Sequence, residues 1–315
     1  MMAAMFFCGI SARESRGTAV SHGSNDIHSD GCLTAGASPR CDARQGRREG
    51  WTLAVLLVLA AGLTACDPHR GGGLAGKASS EWTRSYGISP GGEFQIVGAS
   101  GSITVKGAET PSIAVKADRV LKAATDSMAQ ELVSKVRIVE DVTPEKIVLR
   151  NEGLEGIVLG VDIAVNFDVT VPLGTRLRLH SNNGDITVTN VDGAVVVSST
   201  NGDVTGTALR GGLDVRATNG RVKIEMGTVS KDPIDVRNTN GTIDLTLPPT
   251  ANANLDLSTT NGSFNRGTLP MELTGEQTKR RMRARMNEGG TAITLSTTNG
   301  NIRLHAPGDA SGAAQ

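Results

Sequence analysis

Aromatic side chains are scarce in this 315-residue sequence, with two Trp, one Tyr and five Phe, 3% in all. That excludes a base-stacking platform and argues against an aromatic-lined carbohydrate groove. Surplus charge is missing too. With 32 basic against 32 acidic residues the chain has neither the footprint of a nucleic-acid binder nor an acidic tail. Five His and four Cys form no dense cluster, and neither a phosphate-cradling Gly-rich loop nor a nucleophile elbow occurs, so no metal or other cofactor is expected. Glycine, at 39 residues, is what the chain has in quantity, and it points to an all-β, turn-dense fold.

The apolar run Trp51 to Ala65 (WTLAVLLVLAAGLTA) follows Arg40, Arg44, Arg47 and Arg48 and is too short to span ~30 Å of hydrocarbon as a helix. It reads as a secretory signal. Its end, Leu63-Thr64-Ala65-Cys66, is similar to a bacterial lipobox, in which the cysteine is lipidated and becomes the mature N-terminus. Cys8, Cys32 and Cys41 all precede Cys66, so the mature part is expected to hold no disulfide and no thiolate site. Lipid, not a polybasic patch, then ties the protein to a membrane of the cell envelope, facing the periplasm or the surface. The weakly patterned residues before the signal, Met1 to about Gln45, suggest a start codon assigned too early, with a disordered leader as the alternative. Asp67, next to the lipidated cysteine, resembles an inner-membrane retention signal of enteric bacteria.

Beyond Gly71-Gly72-Gly73, Asn-Gly recurs six times, at Asn183-Gly184, Asn201-Gly202, Asn219-Gly220, Asn240-Gly241, Asn261-Gly262 and Asn299-Gly300, spaced by 18, 18, 21, 21 and 38 residues. A period near 20 indicates stacked units. With the Asn at position n, apolar residues fall at n−6, n−4, n+3 and n+5 in 22 of 24 instances, where a 38% hydrophobic composition gives about nine. The two misses are Gly206 and Arg266. Ser100-Gly101 fits the same template through Phe94, Ile96, Ile103 and Val105, which places a first unit before residue 110.

Asn-Gly between alternating runs is also the strongest short hairpin signal. In a two-residue hairpin, however, the apolar n+3 would face n−2, which is Ser181, Ser199, Ala217, Asn238, Thr259 or Thr297. A corner between two strands of a coil turns both apolar pairs inward, with the next coil ~4.8 Å above. The expected fold is therefore an all-β, single-stranded β-solenoid. Its asparagines stack in a column at one corner, a structural ladder and not a catalytic site, and its glycines adopt a backbone closed to other residues.

Between the units, Asp118 to Ser134 shows helical spacing with Asp118 as N-cap, and strand-like runs follow at Val136 to Val139, Ile147 to Arg150 and Ile163 to Val171. The expected organisation is leader and signal over residues 1–65, a flexible linker over 66–85, the solenoid over 86–306 and a disordered tail over 307–315.

The series SNNGDITV, STNGDV, ATNGRVKI, NTNGTIDL, TTNGSF and TTNGNIRL, after a long strand ending in VPLG, resembles the bacterial "putative adhesin" family of β-strand-repeat domains of unknown function. The resemblance spans about residues 86 to 306 and implies a noncatalytic, exported or lipid-anchored envelope protein. It supplies no active-site residues.

Two further features carry chemistry. Asp185 and Asp203, each two residues after an Asn, stack as neighbours with Arg221 next in line. They suit a turn, a hard cation such as Ca²⁺ or an acid/base pair, and the turn is the reading preferred. Arg281, Arg283 and Arg285 alternate with Met282, Ala284 and Met286, giving a strand with a cationic outer face that is a candidate contact for polyanions and equally a guard against edge-to-edge aggregation. His180 and His305 lack metal spacing and are read as surface residues. The functional expectation is a lipid-anchored, adhesin-like binding or structural protein meeting an envelope protein or an anionic glycan, and no nucleic acid. An envelope-stress or regulatory component and a β-helix polysaccharide lyase or hydrolase are the alternatives.

Overall fold

The structure, a computed structural model, describes residues 74–152, 160–275 and 277–309. Cys66 and the apolar run before it lie outside these residues. In chain order the elements are β1 (Gly76–Gly87), β2 (Glu93–Ser100), β3 (Ile103–Ala108), β4 (Ser112–Ala123), α1 (Asp126–Val133), β5 (Arg137–Val142), β6 (Lys146–Glu152) and β7 (Asp162–Pro172). Strand pairs then flank each Asn-Gly: β8 (Arg176–Asn183) and β9 (Ile186–Thr189), β10 (Val195–Asn201) and β11 (Val204–Leu209), β12 (Leu213–Asn219) and β13 (Val222–Met226), β14 (Ile234–Asn240) and β15 (Ile243–Thr246), β16 (Ala253–Asn261) and β17 (Phe264–Asn265). Strands β18 (Glu272–Leu273) and β19 (Arg281–Met286) precede the last pair, β20 (Thr291–Asn299) and β21 (Ile302–His305).

Each chain segment before a corner joins one sheet and each segment after it joins the other. The front sheet runs β18-β19-β16-β20-β14-β12-β10-β8-β2-β6-β5 and the back sheet β1-β4-β7-β3-β9-β11-β13-β15-β21-β17. Neighbouring coils pair in parallel and in register, so Leu177, Val195, Leu213, Ile234 and Ile293 form one buried row. Ile103, Ile186, Val204, Val222, Ile243 and Ile302 form its counterpart in the back sheet. The two rows face each other across a shared interior, where each fully buried aliphatic side chain contributes about 1.5–3 kcal/mol. Parallel pairing between successive units identifies Asn-Gly as a coil corner, not a hairpin turn.

Spatial and sequence order part company at one end. Strand β20 inserts between β14 and β16, so the unit of Asn299 stacks on that of Asn240, and Asn261 comes last. Strand β19 lies antiparallel on the far side of β16.

The two template misses have physical causes. At Gly206 the register shifts, Ala208 takes φ 54°, and the buried Leu209 fills the space an n+5 side chain would occupy; a Cβ on Gly206 would lie 2.7 Å from its Cδ1. At Arg266 the strand β17 has already ended.

Three expectations need correction. The helix is shorter, with Thr125 as N-cap, its hydroxyl oxygen accepting the Met128 N–H, while residues 118–123 belong to β4. Ile113, Val115, Ala117, Leu121 and Ala123 are buried on a single face of that strand, and pairing with β1 on one side and β7 on the other outweighs the helical spacing. Residues 76–85, expected as linker, form most of β1, whose Ala78 and Tyr86 are buried. Residues 307–309, expected in the tail, form a turn in which Asp309 accepts from Thr268 Oγ1 and the Ala306 N–H.

Candidate functional site

The corner column is a continuous hydrogen-bonded ladder. Asn201 Nδ2 donates to Asn183 Oδ1, Asn219 to Asn201, Asn240 to Asn219 and Asn299 to Asn240, all at 2.9 Å, and Asn261 donates to Asn299 at 2.8 Å. The glycines make this stacking feasible. A Cβ on Gly220 would lie 2.2 Å from the Gly202 carbonyl oxygen, and its φ of 141° is unfavourable for residues with a side chain. The n−2 residues line the inside of the corner: Asn238 Nδ2 donates to the Gly220 carbonyl at 2.8 Å, Thr297 to Gly241 at 3.3 Å and Thr259 to Gly300 at 3.1 Å. Sequence reading weighed these positions only as misfits of a hairpin. Their small polar character was the signal that they meet a carbonyl inside the coil.

Asp185 and Asp203 are brought together one above the other. Asp185 Oδ1 accepts the Asp203 N–H at 2.8 Å, and Asp203 Oδ1 accepts the Arg221 N–H at 2.7 Å. Each carboxylate thus satisfies the backbone of the following coil, as Asn301 Oδ1 does for Ser263 at 2.9 Å. Arg221 turns instead toward Asp244, at 3.8 Å, where Arg303 at 3.7 Å and His305 Nε2 at 3.6 Å also converge. His180 sits on the front sheet at the register position of Ser198. Among the described residues no group of three or more His, Cys, Asp or Glu is gathered as for a metal ion.

The arginine strand β19 has Met282, Ala284 and Met286 buried and the three arginines exposed. Those arginines are already partnered. Arg281 forks onto Asp256, with Nε to Oδ1 at 3.0 Å; Arg283 reaches the same carboxylate at 3.4 Å; Arg285 meets Glu272 at 2.9 Å. The hydrogen bonds from Arg281 hold the Asp256 carboxyl below the usual carboxylate range against the opposing effect of burial, and the charges of Arg281 and Arg283 act in the same direction. A polyanion would have to displace two acidic side chains to engage this strand.

Sequence reading missed the outer face of the front sheet. The residue before each Asn from the second unit onward is threonine, and Thr200, Thr218, Thr239, Thr298 and Thr260 form an exposed row beside the ladder. Next to it Arg216 pairs with Asp214 at 3.1 Å, and Arg237 grips Asp235 with two bonds of 3.0 and 2.7 Å. Thr200, Thr218, Thr239 and Thr298 with Arg216, Arg237, Ser198 and Ser296 line an open depression of about 390 Å³. The sequence carried the signal in its recurrent Thr-Asn-Gly.

The profile of one family, Toastrack DUF4097, matches residues 91–305. The chain belongs to that family. The Toastrack match starts at the turn before β2 and ends at β21, so it takes in every corner, the threonine row and the arginine strand, and leaves out β1. No curated protein matches the chain. Among solved structures, it is similar to a "putative cell adhesion protein" from Clostridium sporogenes, with 11% identity over 72% of this chain and 100% of the other and a TM-score of 0.45. A "putative adhesin" from Bacteroides fragilis shares 13% identity over 71% of this chain and 97% of the other, with a TM-score of 0.26. One from Parabacteroides merdae shares 8% over 74% and 97%, with a TM-score of 0.25.

Proposed function

We propose that this chain is a lipid-anchored protein of the bacterial cell envelope whose Toastrack domain is a noncatalytic, adhesin-like binding surface. Attachment rests on the signal-like run ending at Cys66. Binding rests on one observation above all, the threonine row with its flanking Arg–Asp pairs, held on a sheet that the corner ladder makes rigid. Polar groups fixed in advance lose little conformational freedom on contact, which is what a surface needs to recognise a polymer or a folded partner. Asp185 and Asp203 support this reading over hydrolysis, because each commits an oxygen to the backbone of the next coil.

The test has two arms. Globomycin, which blocks removal of a lipoprotein signal, should accumulate a larger precursor, and a Cys66→Ser variant should lose the incorporation of labelled palmitate that the unaltered chain shows; no precursor and no palmitate in the unaltered chain would remove the lipid anchor from the proposal. A photo-crosslinking residue placed at Thr218 on the front sheet should capture an envelope protein or glycan in living cells, and one at Thr205 on the back sheet should not. Equal capture at both sites, or at neither, would overturn the front sheet as the contact. Turnover of a polysaccharide that is lost in Asp185→Asn or Asp203→Asn would replace binding with catalysis.

A further inference from the structure

Asn-Gly is also the dipeptide most prone to rearrange, since glycine offers no Cβ to hinder its own amide nitrogen. That nitrogen gives up its proton and attacks Cγ of the asparagine. A bond forms between them, the Cγ–Nδ2 bond breaks, and ammonia leaves with the displaced proton. Water then opens the cyclic imide at either C–N bond, leaving aspartate or isoaspartate. The sum is amide plus water to carboxylate plus ammonium, with no oxidation or reduction.

The ladder has a polarity that separates one of its six Asn-Gly pairs from the rest. Five of the six corner glycines donate their N–H to the asparagine carbonyl of the next coil: Gly184 to Asn201 at 2.9 Å, Gly202 to Asn219 at 3.0 Å, Gly220 to Asn240 at 3.1 Å, Gly241 to Asn299 at 2.9 Å and Gly300 to Asn261 at 2.9 Å. Because β20 inserts before β16, Asn261 is the terminal rung, and the Gly262 N–H has no further coil to meet; it makes no hydrogen bond among the described residues. The side-chain chain runs the same way. Each of the other five Oδ1 atoms accepts an amide from the next asparagine, and among the described residues Asn261 Oδ1 accepts none. Its backbone differs as well, for Gly262 lies outside the positive-φ region that the other five corner glycines occupy. At Asn261 the attacking Gly262 nitrogen is thus unbonded, and the amide it attacks is held by one hydrogen bond, Nδ2 to Asn299 Oδ1 at 2.8 Å, where an interior rung is held on both sides; the corner is exposed and followed by a two-residue edge strand.

We infer that Asn261 is a self-modification site, with water as its co-substrate, that converts to aspartate or isoaspartate while the other five Asn-Gly pairs are protected. Conversion removes the amide that donates to Asn299 Oδ1 and sets a carboxylate against that oxygen, so the terminal coil loosens and the next corner is uncovered.

The purified full-length chain, aged in mildly alkaline buffer and read by peptide mass spectrometry for the unit mass gain and by enzymatic isoaspartate labelling, tests this. Asn261 should convert on the order of tenfold or more faster than any interior asparagine, because an interior site must first open its coil. In denaturant all six should convert at similar rates. The folded Asn261→Ser variant should lose the early signal without transferring it to another site. Equal rates at all six sites in the folded protein, or an interior asparagine that leads, would overturn the inference.

Discussion

At its two ends the solenoid meets the same difficulty, a row of backbone donors and acceptors with no neighbouring coil, and meets it with unequal means. At the N-terminal end β4 pairs with β7 and β1 in long antiparallel ladders, and α1 packs against β1 and β4 with Ala129 and Val133 buried. Side chains then stitch the two sheets together there. Tyr86 donates to Glu140 at 2.6 Å, Arg84 pairs with the same carboxylate at 3.4 Å, and Arg119 donates to the Val136 carbonyl at 2.9 Å. At the C-terminal end the front sheet is covered by β19 and β18, but the back sheet stops at the two residues of β17. An interior coil is held from both sides, whereas the last corner is held from one, so local opening should begin there.

A core truncation at each end gives the largest contrast. Phe167→Ala, in buried β7, should cost about 3–5 kcal/mol in chemical denaturation, against about 1 kcal/mol for the half-buried Phe264 in β17. Equal losses would mean that the two ends are packed alike. Next, Gly220→Ala combines positive φ with a 2.2 Å clash in mid-column and should cost about 3 kcal/mol, while Gly262→Ala, whose Cβ would meet the Gly300 carbonyl oxygen at 1.8 Å but lacks the positive φ, should cost about half as much because its terminal coil can move aside.

Tyr86→Phe removes the stitch to Glu140 and should cost about 1–2 kcal/mol, with faster amide exchange in β1 and β5 as its local readout. Burial first, and the bond to Glu140 second, raise the Tyr86 phenol above its ordinary pKa of 10.0. The stitch therefore contributes fully below that value and is lost as pH rises through the higher folded value. Tyr86 is the one tyrosine in the chain, so its ultraviolet titration is free of overlap, and a midpoint at the ordinary value would remove the stitch.

Smaller effects test the ladder and the arginine strand. Asn240→Ala breaks two amide bonds and should cost about 1 kcal/mol; Asn261→Ala breaks one and should cost about half of that. Asp256→Asn should cost only a few tenths of a kcal/mol, because the pair is open to solvent. Its folded pKa is lowered, so this contribution is present above the ordinary carboxylate pKa and is lost as pH falls through the folded value.

Much of this was legible in the residues. The positions n−6, n−4, n+3 and n+5 predicted the inward face of each coil, and the paper exclusion of hairpins at Ser181, Ser199 and their equivalents predicted corners. The block before Ile163 was less legible. From Asp118 to Ser134, Val120, Leu121, Ala124 and Met128 satisfy a helical pattern, yet the same stretch offers Ala117, Leu121 and Ala123 to a strand face, and only the presence of partners on both sides decides between them. Strand β1 was hidden for a related reason. Ser79, Ser80, Glu81, Thr83, Arg84 and Ser85 read as linker because pairing with β4 fixes the strand with few buried side chains. The threonine row was visible as Thr-Asn-Gly, but its meaning as a face needed the stacking of coils.

What the sequence determined alone is the single coil: which residues point inward, where the chain turns, and why glycine follows asparagine. These are local consequences of period-two burial and of a conformation that a Cβ would obstruct. The order of the coils belongs to the tertiary structure. All six Asn-Gly corners present nearly the same edge to a neighbour, so nothing local tells the coil of Asn299 to stack on that of Asn240 instead of following that of Asn261. The packing of β19 against the far side of β16, with Arg281 and Arg283 on Asp256, occupies the edge that sequence order would have used. The same placement makes Asn261 the uncovered end of the column.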